Sequence, residues 1–81
     1  MKILFFGSLR EQLGTGEMQL ALPEGISTVG QLLDNLRQQD EQWQKALTGT
    51  VLCAVNQAMA NDSAAVNDAD EIALFPPVTG G

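Results

Sequence analysis

Apolar and polar residues fall along this chain in patterns that predict a strand, a short turn of helix and a second strand, then a long amphipathic helix. Lys2 to Phe6 reads as a strand, with Ile3 and Phe5 on one face and Lys2, Leu4 and Phe6 on the other. Gly7-Ser8 interrupts it, and Leu9 to Leu13 can form one short helical turn before Gly14-Thr15-Gly16 ends it. Glu17 to Leu22 alternates polar with apolar, which turns Met18, Leu20 and Leu22 inward on a half-buried antiparallel strand. Pro23-Glu24-Gly25 closes that strand. Thr28-Val29-Gly30-Gln31 then has the form of a capping box, in which Thr28 and Gln31 satisfy each other's backbone amides at a helix start. Val29, Leu32, Leu33 and Leu36 recur at i, i+3, i+4 and i+7, one buried stripe. Gly30 in the first turn costs up to about 1 kcal/mol relative to alanine.

Further along, Glu41 to Leu47 can bury Trp43 and Leu47 at i, i+4, and that spacing assigns Trp43 to the core rather than to a ligand platform. Val51 to Val55 is an apolar run of strand length, Asn56-Gln57 suits a tight turn, and Ala58 to Ala60 makes a short return strand. Asn61 to Asp70 reads as a solvated acidic turn leading into a last strand, Glu71 to Phe75. Two strands, a main helix and further strands describe an α+β domain of the ubiquitin-like β-grasp arrangement: a mixed sheet packed on one main helix, its terminal strands parallel at the centre. Ile72 and Leu74 then join Ile3 and Phe5 against the helix, while Glu71, Ala73 and Phe75 lie beside Lys2, Leu4 and Phe6 on the open face. With Met59 on the same side, Phe6, Met59 and Phe75 form an exposed apolar patch that marks a partner surface, unless a helix or loop covers it.

The domain is expected over residues 1–75, with an extended, flexible tail over 76–81. Pro76-Pro77 fixes φ and removes backbone donors, so the tail runs outward semi-extended; Gly80-Gly81 gives it an end thin enough to enter a narrow channel. A frayed terminus is the plain alternative.

Length and charge narrow the choice of partner. With 81 residues the chain has room for one domain. Its 44% hydrophobic and 17% charged residues suit a packed globule rather than a disordered chain. Four Lys and Arg against ten Asp and Glu give a formal net charge of −6, which argues against nucleic acid and anionic membrane as partners and favours a protein with a basic surface. The apolar run at the start is too short for a signal peptide or a membrane span, and a single cysteine precludes an internal disulfide, so the expected compartment is the cytoplasm.

Catalytic residues are scarce. The chain has no His and no Tyr. Cys53 lies mid-strand and reads as a small buried hydrophobe rather than a nucleophile. Asp34 and Glu41 have no acidic partner in register for acid–base work. Asp62, Asp68, Asp70 and Glu71 do not have the spacing of a calcium loop, and no metal site is expected. The one group set out for chemistry is the α-carboxylate of Gly81.

The run Asp70 to Gly81, ending Phe-Pro-Pro-Val-Thr-Gly-Gly, together with Ala54-Val55-Asn56-Gln57, Leu4-Phe5-Phe6 and Arg10-Glu11, closely resembles the small, sulfur-carrying subunits of molybdopterin synthases (MoaD type). The likeness covers the whole chain. Pro-Pro-Val-Thr-Gly-Gly is fairly specific to that family, whereas Gly-Gly alone is shared with thiamine-pathway sulfur carriers and ubiquitin-like modifiers conjugated through their last glycine. Ala69 replaces the glycine usual in the family's Asp-Gly-Asp-Glu turn. The resemblance implies that an ATP-dependent, E1-like activating enzyme adenylates Gly81 and that sulfur then replaces AMP. The resulting thiocarboxylate would enter the large synthase subunit, in a heterotetramer, and give its sulfur to a pyranopterin precursor of the molybdenum cofactor. The chain is then no enzyme alone and binds no resident cofactor. Gly81, supported by Gly80, is its covalent site, Phe6, Arg10, Met59 and Phe75 are docking residues, and Pro76, Pro77, Val78 and Thr79 follow the partner's channel.

Overall fold

A computed structural model describes residues 1–76 of the chain. Its elements are β1 (Lys2–Phe5), α1 (Gly7–Leu13), β2 (Glu17–Gln19), α2 (Val29–Arg37), α3 (Glu41–Ala46), β3 (Leu52–Val55), β4 (Ala58–Ala60) and β5 (Glu71–Phe75). The five strands make one mixed sheet in the order β2-β1-β5-β3-β4. β1 and β5 run parallel, with Ile3 beside Ile72 and Phe5 beside Leu74, and the other neighbours are antiparallel. This is the β-grasp arrangement expected from the order of elements.

Strand parity sends Ile3, Phe5, Cys53, Ile72 and Leu74 to one side of the sheet, where they are buried together with Val29, Leu32, Leu33 and Leu36 of α2. The predicted capping box is present: Gln31 N–H donates to Thr28 Oγ1 at 3.3 Å and Thr28 N–H donates to Gln31 Oε1 at 3.2 Å. Gly30 also has a packing reason. Its N–H donates to the Asp62 carbonyl at 2.9 Å, and a Cβ there would stand 3.2 Å from Asp62 Cβ. Close backbone approach offsets its poor helix propensity.

Several elements depart from the expected bounds. The short helical turn after β1 is a seven-residue helix that takes in Gly7 and Ser8; Gly7 enters it at φ +58° and Gly14 ends it at φ +71°. β2 stops at Gln19, because Leu22 N–H donates to Asp68 Oδ1 at 2.7 Å instead of to a strand. Leu20 and Leu22 still pack on the core, as their alternation implied. That bond, with the Met1 ammonium 3.6 Å away, holds the Asp68 carboxyl below the usual carboxylate range. α3 is capped by Asp40, whose side chain accepts from Trp43 N–H at 3.0 Å. Trp43 is half-buried and meets Phe5 edge-on, ring centroids 5.5 Å apart.

The acidic stretch 61–70 is more than a solvated turn. Val66 is buried in the core, and the segment is pinned to the start of α2 by an antiparallel bridge between Thr28 and Ala65, a Val29 N–H to Ala64 carbonyl bond and a Val66 N–H to Ser27 carbonyl bond. Its far end is tied by Asn56, which donates to Asp70 Oδ1 and accepts from Glu71 N–H, both at 3.0 Å.

The β3–β4 connection is a two-residue turn with Asn56 at φ +51° and Gln57 at φ +72°. Both central residues are left-handed, as in a type I′ turn, where glycine is favoured second. Gln57→Gly is therefore expected to raise stability by about 0.5–1 kcal/mol, the relief of left-handed strain less the extra entropy of an unfolded glycine. The change is read as a higher urea midpoint at unchanged slope; a lower midpoint would refute it.

Candidate protein-docking face

The side of the sheet opposite the core is built by the remaining parity of the same strands. Leu4 pairs with Ala73, Ala73 with Ala54, and Ala54 with Met59, giving a row across β1, β5, β3 and β4. At one end of the face Lys2 pairs with Glu71 and Gln19, and its Nζ reaches Glu17 Oε2 at 3.3 Å, Glu17 standing opposite Leu4 on β2. At the other end Phe75 pairs with Leu52. The face thus runs from charged, where β1 begins, to apolar, where β5 ends.

Phe6 completes the apolar end, although it lies one residue beyond β1. It is the N-cap of α1, with extended angles of φ −121° and ψ 159°, so its side chain keeps the strand alternation and points away from Phe5. Its N–H donates to the Leu74 carbonyl at 3.1 Å, which holds it level with Phe75. The two rings are stacked, with centroids 4.9 Å apart and planes 13° from parallel. Phe6 remains 42% exposed and Met59 66% exposed, so neither is covered by another described element. Phe75 is half-buried.

Arg10 follows Phe6 by one helical turn, which places the two on the same side of the chain. Its side chain lies across Gly16, where a Cβ would come 3.2 Å from the guanidinium Nε. Arg10 lines an open cleft with Gly7, Glu11, Gly14, Thr15 and Gly16, and it forms no ion pair among the described residues. Pro76, the first residue of the expected tail, remains on the domain. A Cβ on Gly7 would stand 3.0 Å from Pro76 Cγ, so the lack of a side chain at Gly7 makes room for the proline ring beside the Phe6–Phe75 stack. Phe6, Phe75, Gly7 and Pro76 thus form one cluster at the end of β5, with Arg10 at its border and Met59 across the sheet. Pro77, Val78, Thr79, Gly80 and Gly81 lie outside the described residues.

Sequence reasoning did not single out Leu52 as part of this face. Val51 to Val55 is apolar throughout, so only pairing with β5 reveals that Leu52 and Ala54 share the side of Phe75 while Cys53 faces the core. Cys53 is buried, and that burial, with the negative charge of Asp62 nearby, pushes its thiol up to about 11. No group of metal-ligating side chains occurs among the described residues.

A ubiquitin-like β-grasp domain with an exposed apolar end beside the exit of its last strand defines the class. The ThiS family pattern matches residues 3–81, and the chain belongs to the ThiS family. The molybdopterin synthase sulfur carrier subunit of Escherichia coli (strain K12) is 40% identical over 82 residues, covering 100% of this chain and 99% of that protein. Among solved structures, the small archaeal modifier protein 1 (SAMP1) of Haloferax volcanii superposes with a TM-score of 0.78 at 30% identity, covering 100% of this chain and 98% of that one. A chain in the complex of subunits 1 and 2 of the molybdopterin-converting factor of Helicobacter pylori 26695 gives a TM-score of 0.63 at 25% identity, covering 99% and 96%.

The thiolate is the reactive form of cysteine, so a thiol held this high and this deep should resist modification. At pH 8 the folded protein is expected to leave Ellman's reagent unreacted over the time in which urea-unfolded protein reacts fully. Equal rates for folded and unfolded protein would place Cys53 at the surface.

Proposed function

We propose that this chain is the sulfur carrier of a molybdopterin synthase, the small subunit that brings activated sulfur to a larger partner. The observation that carries the reading is the cluster of Phe6, Phe75 and Pro76: a stacked aromatic pair, exposed at Phe6 and half-buried at Phe75, at the point where a tail ending in Gly-Gly begins. An apolar anchor at that point lets a partner grip the domain while the tail reaches past it. From Pro76, five further residues can extend at most about 17 Å, enough to deliver a terminal carboxylate into a buried site.

The chemistry follows from what a carboxylate lacks. It is ionised at neutral pH and a poor acyl donor, so it must acquire a leaving group before sulfur can attack. In the proposed cycle an E1-like activating enzyme joins the Gly81 carboxylate to the α-phosphate of ATP and releases pyrophosphate. A sulfur nucleophile then displaces AMP and leaves a thiocarboxylate. In the large subunit that sulfur attacks the pyranopterin precursor, and hydrolysis of the acyl–sulfur bond returns the carboxylate. Gly80 and Gly81 supply reach and reactivity, Phe6, Arg10, Met59 and Phe75 recognition, and Pro77, Val78 and Thr79 the passage through the partner. The acid–base groups belong to the partners. Full-length likeness to named sulfur carrier subunits supports the assignment, as does likeness to a chain in the complex of subunits 1 and 2 of a molybdopterin-converting factor.

The likeness to a small archaeal modifier protein favours one further reading, conjugation of Gly81 to lysines of other proteins. The adduct separates the two. After incubation with the activating enzyme, ATP and a sulfur source, the intact mass is expected to rise by the difference between sulfur and oxygen. Isopeptide-linked products without that rise would favour the modifier.

Two variants test the parts separately. Deleting Gly81 is expected to abolish sulfur transfer in a reconstituted synthase while leaving the melting temperature nearly unchanged, and wild-type turnover would refute the carrier role. Phe75→Arg is expected to weaken association with the large subunit by about tenfold or more, since it buries a charge in an apolar contact. An unchanged dissociation constant in titration calorimetry would place the docking surface elsewhere.

A further inference from the structure

The three methionines differ sharply in environment. Met1 is buried in the core, Met18 packs partly against it, and Met59 stands 66% exposed on β4. Met59 lies opposite Ala54 on the open face and is not among the residues that pack on the core. A thioether on an edge strand facing solvent is open to two-electron oxidants, whereas the other two are shielded. The lone thiol does not compete, because Cys53 is buried and held in its protonated form.

We propose that Met59 is a site of reversible oxidation that switches docking of the open face on and off, acting on recognition without disturbing the fold. The inference rests on the docking role assigned to this face above. In the reaction the thioether sulfur takes one oxygen atom from hydrogen peroxide and water leaves, giving a sulfoxide; a thiol-dependent sulfoxide reductase reverses it, two thiols being oxidised to a disulfide as water is released. The product is polar and hydrogen-bonding where the thioether was apolar. In the row Leu4, Ala73, Ala54, Met59 the two positions leading to Met59 are alanines, so Met59 is the longest side chain at the β4 end of that row. A partner surface complementary to the apolar thioether would desolvate the sulfoxide, at a cost wherever no hydrogen-bond donor meets its oxygen. Because the side chain contributes nothing to the core, the loss falls on association alone.

The test treats the full chain with hydrogen peroxide, maps the added oxygen by peptide mass, and titrates each sample against the large synthase subunit before and after treatment. The first oxygen is expected on Met59, with a fall in affinity of about tenfold, unchanged circular dichroism and melting temperature, and recovery after methionine sulfoxide reductase. Met59→Leu, compared with itself before and after peroxide, is expected to show no fall. Oxidation of Met18 ahead of Met59, an equal fall in Met59→Leu, or full affinity in Met59-oxidised protein would each overturn the switch. Failure of the untreated chain to bind the large subunit would instead overturn the docking role, and the mapped order of oxidation would still decide whether Met59 is the reactive site.

Discussion

The parallel pairing of β1 with β5 is the contact on which the rest depends. It joins Lys2 to Glu71 and Phe5 to Leu74, nearly the whole chain apart in sequence. Closing so long a loop is entropically costly, and the ladder alone would not hold it. What holds it is that Ile3, Phe5, Ile72 and Leu74 all lose their exposure to water in the same act, against the apolar stripe of α2. Once the pair forms, Phe6 has no choice of neighbour: its amide bonds the Leu74 carbonyl and its ring meets Phe75. The Phe6–Phe75 cluster is therefore a by-product of core formation, assembled from residues that flank the buried ones.

That dependence explains what could be read from the sequence. The capping box and stripe of α2 are local signals, complete within Thr28 to Leu36, and the structure follows them residue by residue. Parity placed Phe6, Met59 and Phe75 on one face because alternation is a property of each strand alone, once the partners are known. Failures arose where burial is decided from a distance. Val66 sits among Asn, Asp and Ala, and nothing local marks it as core; it is buried because Ser27 and Thr28 pair with its neighbours. Leu52 was indistinguishable from Val51 and Cys53 until β5 fixed the register. The extension of α1 back to Gly7 runs against glycine's poor helix propensity; glycine stands there because φ is +58° and Pro76 approaches closely. The stretch from Pro76 to Gly81 carries its signal in composition alone, as prolines and glycines.

The distribution of polar interactions is equally one-sided. Among the described residues no buried side-chain polar atom lacks a partner; the Lys2–Glu17 and Arg37–Asp34 pairs lie at the surface, where each is worth little, and the third joins the ammonium of buried Met1 to exposed Asp68. Arg37 reaches the Leu47 carbonyl at 2.8 Å and so ties the end of α2 to the end of α3, while Gln42 reaches the Gln12 carbonyl and ties α3 to α1. These links lie away from the open face. The open face carries the Lys2–Glu17 pair near its charged end.

The splitting of Phe5 from Phe6 shows what such a fold makes available to evolution. Two identical side chains, adjacent in sequence, go to opposite sides of one sheet: the first is locked into the core against Trp43, the second meets the outside world. Along β1, β3 and β5 alternate positions stand on different sides of the sheet, one set in the core and the other on the open face. A lineage can rewrite the outward set, exchanging one client for another, without renegotiating how the domain folds. The same scaffold can thus diversify its associations by changing every second residue of three short strands.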